Sequence, residues 1–228
     1  KKKEKFTFFC PQRMGIPKGT DILWKALEYC KSDFEILQVD WRDTGSDEEN
    51  RTSLKLRENL PSHVKLIPMI KRKEMSSYYQ WSDAIIGNLR IGSFEYVELE
   101  AVMCQKPVIS FTDKKIKIIL DGREIESPFI PESNDPKNIA KIIDKFVLSD
   151  QFRQDVFKKE YDFVQNISDP KRAGEWWDSL FEKLVKENSS INRKSSKTAV
   201  KLRMLNFLIS NRLYFRKMKR VIHGVHDR

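Results

Sequence analysis

The sequence has few cysteines, and those it has form neither a metal-binding nor a disulfide pattern. Three of its 228 residues are cysteine, namely Cys10, Cys30 and Cys104, and no two of them are separated by two residues. Their number is odd and each lies in an apolar segment, which is typical of buried thiols in a reducing compartment. Because the chain has only 3 histidines, a metal site is not expected either.

Long hydrophobic runs are also missing. No segment approaches the roughly 20 consecutive apolar residues of a membrane span, and no signal peptide precedes the first predicted strand. The expected location is therefore cytoplasmic. Because the chain starts at Lys1, one short charged run before a strand, we expect a further segment on its N-terminal side.

The formal net charge of +10 is confined to one end of the chain. Residues 186–228 contain 12 basic and 2 acidic residues, whereas residues 1–185 contain 31 of each. We therefore predict a neutral domain over 1–185, followed by a basic tail over 186–228 with a linker and an amphipathic helix at Thr198–Ile222. The tail helix fits three partners: an anionic surface on the inner face of the membrane, a missing domain, or nucleic acid, which the neutral domain disfavours.

The hydrophobic pattern predicts alternating strands and helices. The stretch Trp81–Phe111 contains two short apolar runs with a helical pattern between them, which is typical of a βαβ unit in a buried parallel sheet. Strand–helix pairs precede it and helices follow it, the last of which is expected to bury Trp176, Trp177 and Phe181. The predicted fold class is α/β, a doubly wound, Rossmann-like parallel sheet with a C-terminal basic helical tail.

Two loops of this fold are expected at the carboxyl edge of the sheet, where doubly wound sheets bind ligands. The first loop carries two cations, Arg13 and Lys18, and the second, Arg90–Phe94, enters the N-terminus of the central helix. Cations and a helix N-terminus both attract anions. Glu100 lies in an apolar part of that helix, which suggests a purpose for its carboxylate, whereas Glu98 is expected to be an exposed residue.

With these residues in view, the chain resembles the C-terminal, donor-binding domain of a family-4 retaining glycosyltransferase of the GT-B fold. The resemblance covers about Phe6 to Leu184 and rests on three segments: Phe8–Leu23 with its Arg and Lys-Gly, Val64–Ala84, and Glu100–Ile109. The last segment, which matches the Glu-Ala-Met-Ala-x-Gly-x-Pro-Val pattern of that family, is the most specific.

The resemblance implies a site for a nucleoside-diphosphate sugar, without a cofactor or a metal. The implied residues are the diphosphate-binding cations, the start of the central helix, the ribose-binding acid and the end of the third strand: Arg13, Lys18, Gly92, Ser93, Phe94, Glu100 and Ile70. The sequence departs from the family at Gly92, where most members have Glu, and at Glu95, where they have Gly. Glu95 is interpreted either as a catalytic or donor-hydroxyl contact that replaces the missing carboxylate, or as an acid that favours the helix dipole.

The implied activity is the transfer of a hexose to an acceptor hydroxyl with retained configuration, with Lys18, Arg13 and Glu95 as the candidate catalytic residues. An acceptor-binding domain or subunit would be a required partner. The alternative is a non-catalytic nucleotide-binding or scaffold subunit that the basic tail recruits to a membrane or a partner. A nucleic-acid-binding module is the third and weakest hypothesis.

Overall fold

A computed structural model of the chain describes residues 5–41 and 45–188. The strands of this part are β1 Phe6–Cys10, β2 Phe34–Val39, β3 Val64–Ile67, β4 Ala84–Ile86, β5 Val108–Ile109, β6 Ile118–Leu120 and β7 Arg123–Ile125. Its helices are α1 Thr20–Leu27, α2 Asp47–Glu58, α3 Met75–Trp81, α4 Tyr96–Met103, α5 Pro136–Leu148, α6 Asp150–Ile167 and α7 Pro170–Asn188. Short 3-10 helices at Ile16–Lys18 and Arg72–Glu74 precede α1 and α3.

Five of the strands form one parallel sheet in the order β3-β2-β1-β4-β5. The strand order reverses beside β1, whose Phe9 lies opposite Leu37 of β2 on one side and Ile85 of β4 on the other. This reversal places the ends of β1 and β4 next to each other at the carboxyl edge, which is where such sheets bind ligands. The predicted doubly wound α/β fold is confirmed.

Both faces of the sheet are covered by helices. One face carries Phe8, Ile36 and Ile86 and packs against α1 and α5, and the other carries Phe9, Ile85 and Val108 and packs against α3, α4 and α6. Because strands that are buried on both sides cannot alternate polar and apolar residues, β4 consists of three fully buried apolar residues. The apolar runs in the sequence therefore identified these strands correctly.

The secondary structure differs from the sequence-based expectation mainly at α2. The acidic segment before residue 50 has no apolar periodicity and is typical of a polar loop, but α2 begins at Asp47. The Ser46 hydroxyl accepts a hydrogen bond from the Glu49 backbone N–H at 3.1 Å, and three acidic residues occupy the first turn. This cap and the interaction of the acids with the helix dipole stabilise the start of α2. The segment is entirely polar, so no hydrophobic periodicity reveals this helix start in the sequence. Strands β6 and β7 form an antiparallel hairpin around Asp121-Gly122, a dipeptide that is typical of tight turns.

The chain divides after Asp169 into two compact units, of which the second begins with α7. Trp176, Trp177 and Phe181 were expected to be buried, but they are 54%, 51% and 56% exposed and stack on one another along the helix. No helix within 5–41 and 45–188, α7 included, is both long and apolar enough to cross a bilayer. The domain boundary at 185 remains a prediction, and the tail helix at Thr198–Ile222 lies outside the described residues.

A carboxyl group is buried where α6 packs against β5. Glu160 has no exposed surface, and its Oε2 accepts the Val108 backbone N–H at 3.0 Å, while Oε1 has no hydrogen-bond partner within the described part of the chain. Burial raises the pKa of Glu160 well above its usual value, against the smaller opposing effect of the Val108 N–H. At a pH between the unfolded and the folded pKa, the folded state therefore holds a proton on this carboxyl group that the unfolded state releases.

The Glu160→Gln substitution tests this assignment. Since the folded pKa is raised, the wild-type stability contribution is complete below the unfolded pKa of about 4.3 and is lost as the pH rises towards the folded pKa. We expect the free energy of unfolding of the variant, relative to wild type, to increase between pH 5 and pH 8. Urea denaturation followed by circular dichroism measures it. Glu58→Gln, at an exposed site, is the control, and equal pH trends for both variants would refute a neutral Glu160.

Candidate functional site

Two loops meet at the carboxyl edge of the sheet and are fastened to each other. The loop after β4 reaches the loop before α1 through the Leu89 backbone N–H, which donates to the Lys18 carbonyl at 3.2 Å. The Arg90 side chain strengthens this contact, because its Nε donates to the Ile16 carbonyl and its Nη2 to the Asp21 carboxylate, both at 2.6 Å. The two loops that the sequence assigned to this edge therefore form one continuous surface.

A cation and an acid face each other on this surface. Lys18 Nζ lies 2.6 Å from both carboxylate oxygens of Glu95, the residue that caps the N-terminus of α4. Burial opposes ionisation of Glu95, but hydrogen bonds from Lys18 and Asn88 and the positive charge of Arg13 outweigh it, so that the pKa of Glu95 is lowered. The three predicted catalytic residues are thus close enough to interact. Arg13 also stacks over the Trp41 ring, at 5.7 Å from its centroid.

Glu98 is fully buried, so the expectation from the sequence that it is an exposed residue was wrong. Its Oε1 accepts the Asn88 backbone N–H at 2.9 Å and the Ser110 hydroxyl at 2.8 Å, and its Oε2 accepts the Glu95 backbone N–H at 2.7 Å. A Cβ atom at Gly87 would lie 2.1 Å from Glu98 Oε1, so that only glycine admits this carboxylate. Glu98 therefore connects the ends of β4 and β5 to the start of α4.

The backbone conformation of the loop that enters α4 depends on Gly92. This residue has φ +80°, which favours glycine, and a Cβ atom here would lie 2.6 Å from the Asp113 Cβ. The ring of Phe94, two residues later, is partly buried against Phe163 and Phe129. The family's Glu cannot be placed at position 92 without moving the chain after β5.

Glu100 accepts hydrogen bonds from two side chains of the segment that follows β3. Its Oε1 accepts a hydrogen bond from the Arg72 guanidinium at 2.6 Å, and its Oε2 accepts one from the Tyr79 hydroxyl at 3.2 Å. Burial and the adjacent carboxylate raise the pKa of Tyr79, which therefore stays a neutral donor. These three residues line a cavity of about 240 Å³ between α3 and α4, together with Met75, Ser76, Met103 and Cys104.

The remaining predicted residue, Ile70, follows β3 and packs partly buried against the cluster on the α4 face. Arg72 lies two residues further along and reaches Glu100, so that the segment after β3 does approach the predicted ribose acid. The structure therefore pairs Lys18 with Glu95, within the electrostatic influence of Arg13, and brings the segment after β3 to Glu100 at a second place.

Sequence reasoning missed the residues that hold the site in shape. The Asn88 side chain accepts the backbone N–H groups of Arg90 and Ile91 through Oδ1 and donates to Glu95 through Nδ2. Glu95 and Glu98 form a capping box, in which each side chain accepts the backbone N–H of the other residue. The three-residue spacing of two acids at a helix start is the one signal that could have identified Glu98.

The contrast between Glu98 and Glu100 gives a stability prediction. Glu98→Ala removes the acceptor of the Asn88 and Glu95 backbone N–H groups, while the Ser110 hydroxyl keeps the Asn88 carbonyl as an acceptor, so we expect the free energy of unfolding to fall by about 3 kcal/mol or more. Glu100→Ala removes an acid that is partly exposed and paired with an 87% exposed arginine, and the Tyr79 hydroxyl that loses its acceptor borders the cavity, so we expect a smaller loss of about 1–2 kcal/mol. Chemical denaturation measures both values. Similar losses for the two variants would show that Glu98 does not join these elements.

A sequence comparison identifies the family. The model of the family described as "Glycosyl transferases group 1" matches residues 1–163, which is most of the chain. No curated protein sequence matches the chain. Among the solved structures, this chain is similar to HepE of Anabaena, which was crystallised with UDP and glucose. The TM-score is 0.59, with 17% identity over 78% of this chain.

Two further solved structures share the fold. Sucrose-phosphate synthase from Thermosynechococcus elongatus has a TM-score of 0.61 and 18% identity over 81% of this chain. The C-terminal domain of a glycosyl transferase group 1 family protein (LpcC) from Francisella tularensis has a TM-score of 0.53 and 18% identity over 72% of this chain. The chain spans 48% of HepE, 46% of the synthase and 85% of the isolated C-terminal domain.

Proposed function

Because the chain belongs to the group 1 family of glycosyl transferases, we propose that it is the donor-binding domain of a family-4 retaining glycosyltransferase. The reaction would transfer a hexose from a nucleoside-diphosphate sugar to an acceptor hydroxyl. Support comes from HepE, whose structures contain UDP and UDP-glucose. Because this chain covers about half of that protein, the second wall of the cleft would come from an acceptor-binding domain or subunit.

The observation that carries this proposal is the contact between Lys18 and the start of α4. The Glu95 carboxylate accepts from Lys18 Nζ at 2.6 Å and from the Glu98 backbone N–H within the first helical turn. A carboxylate is a small anion, and a phosphate group has the same requirement for charged and backbone donors. The position that Glu95 occupies is therefore suited to one phosphate of a donor, with Arg13 near enough to add its charge.

In this arrangement Glu100 would bind the ribose. Its two carboxylate oxygens already accept hydrogen bonds from Arg72 and Tyr79, and ribose hydroxyls offer donors of the same kind. Tyr79 is 1% exposed and holds the carboxylate from the core side, whereas Arg72 is exposed and free to give way to a ligand. The adjoining cavity and the segment with Ile70 would receive the base.

Catalysis would rest on electrostatic stabilisation of the leaving diphosphate. As the bond between sugar and phosphate breaks, negative charge grows on the phosphate oxygens, next to Lys18, Arg13 and the start of α4. Donors that are fixed in advance stabilise this charge more than they stabilise the bound donor, which lowers the barrier. A leaving-phosphate oxygen would take the proton of the acceptor hydroxyl, so that the reaction needs no separate base in this domain.

Calorimetric titration of UDP and GDP into the chain tests the site. We expect one of the two to bind, and Lys18→Ala and Glu100→Ala each to weaken its binding by about tenfold or more, since each removes a charged hydrogen-bond partner. Lys25→Ala is the matched control, because Lys25 is exposed and pairs only locally with Glu28. Unchanged affinity in the first two variants would remove the site assignment.

The ion pair of Lys18 and Glu95 makes a separate prediction. A diphosphate must compete with the Glu95 carboxylate for Lys18, and Glu95→Gln removes the competing charge while it keeps an acceptor for the helix cap. We therefore expect nucleotide affinity to rise roughly three- to tenfold, in line with the loss of one partly exposed ion pair. The same calorimetric titration measures it, with Glu28→Gln as the control. Weaker binding would show instead that Glu95 presents Lys18 to the ligand.

The same ion pair supports a second candidate function. Lys18 forms an ion pair with Glu95, and Gly92 lies where most family members have a carboxylate. The chain could therefore act as a non-catalytic nucleotide-binding or scaffold subunit. Its basic tail would then recruit it to a membrane or a partner. Mixing the chain with a separate acceptor-domain protein distinguishes the two functions, because restored transfer supports the enzyme and binding without transfer supports the scaffold.

A further inference from the structure

The segment that follows β5 carries a carboxylate to the edge of the proposed site. Asp113 lies against Gly92, where a Cβ atom would come within 2.6 Å of the Asp113 Cβ. The Asp113 side chain thus leaves the backbone beside the position that a side chain at residue 92 would occupy. The strand end after β5 therefore supplies an acid at a place where the α4 loop supplies none.

This acid is held firmly by its backbone. On one side, the Phe111 N–H donates to the Asn88 carbonyl and the Asp113 N–H donates to the Gly92 carbonyl, both at 2.9 Å. On the other side, the Ser110 and Thr112 N–H groups donate at 2.9 Å to the carbonyls of residues 130 and 131. Bonds on both sides fix the segment in the same way as a strand in a sheet, so that the Asp113 carboxylate has a defined position.

The carboxylate also retains capacity to accept hydrogen bonds. Its Oδ1 accepts the Lys115 backbone N–H at 2.9 Å, and a carboxylate offers about four acceptor positions in total. Glu95, the acid that the sequence suggested for donor hydroxyls, is by contrast already committed to Lys18, Asn88 and the first turn of α4. Asp113 is therefore better placed than Glu95 to meet additional hydroxyl groups.

The position relative to the phosphate site indicates which hydroxyls these are. Glu100 lies on the second turn of α4, beyond the Glu95 cap, whereas Asp113 contacts the loop three residues before that cap. In a nucleoside-diphosphate sugar, the diphosphate separates the ribose from the sugar that is transferred. With the diphosphate at the start of α4 and the ribose at Glu100, the transferred sugar extends towards Asp113.

We propose that Asp113 accepts hydrogen bonds from hydroxyl groups of the transferred hexose and is a determinant of donor-sugar recognition. This inference rests on the proposed function. A pair of hydroxyls on adjacent ring carbons can reach the two oxygens of one carboxylate. A fixed carboxylate therefore discriminates sugars by the orientation of their hydroxyls, since a misdirected hydroxyl cannot donate to it.

The test compares Asp113→Asn with wild type in calorimetric titrations of the full chain. The ligands are UDP and UDP-glucose, and GDP and GDP-mannose. We expect the nucleoside diphosphate that binds wild type to bind the variant with affinity within about twofold. Binding of its sugar conjugate should weaken about tenfold, as for the loss of one hydrogen bond to a charged group. Glu132→Gln, an exposed acid on the neighbouring segment, is the matched control, and thermal unfolding confirms that both variants fold.

Three other results of these titrations would overturn the inference. If Asp113→Asn binds the nucleotide and its sugar conjugate as wild type does, Asp113 does not contact the sugar and the inference is overturned while the proposed function stands. If both affinities fall equally, Asp113 supports the loop and the inference is again overturned. If wild type binds no nucleotide at all, the proposed function itself fails and the inference fails with it.

Discussion

The site depends on one buried carboxylate. Glu98 draws together the end of β4, the end of β5 and the first turn of α4 by accepting from three donors that belong to these elements. A buried polar group is tolerable only when its atoms have hydrogen-bond partners, and here backbone and hydroxyl donors serve both oxygens of Glu98. Gly87 leaves room for this carboxylate, because a Cβ atom there would overlap with it. The loop that follows β4 is held by the hydrogen bond from the Asn88 backbone N–H to the same carboxylate.

Charge around the start of α4 is balanced before any ligand arrives. Lys18 and Glu95 neutralise each other, and Arg90 and Asp21 do the same on the adjacent side. A site that binds a highly charged diphosphate and must later release it has an advantage in such internal partners, because they compensate the cations when the ligand leaves. Affinity would then reflect the exchange of one anion for another, and not the gain of an isolated contact.

The sequence predicted the architecture well, for physical reasons that can be named. Buried parallel strands require continuous apolar runs, so that Ala84–Ile86 and Val108–Ile109 stood out. The arrangement of the site was harder. An acid in a helix is usually exposed, and Glu98 was assigned on that basis, although its burial is made possible by a glycine eleven residues earlier. Contacts such as Arg72 to Glu100, or Asp113 to Gly92, join residues about 20 to 30 positions apart and leave no local periodicity.

The fastening of the two edge loops has a kinetic consequence. Since main-chain bonds and the Arg90 guanidinium already connect them, the entropy lost in ordering these loops is lost during folding, and an incoming molecule need not supply it. Only the torsion angles of a few long side chains have to change, and such rotations are much faster than the movement of a loop. Capture of an anion at this edge would therefore be limited by diffusion and electrostatic attraction and not by loop movement.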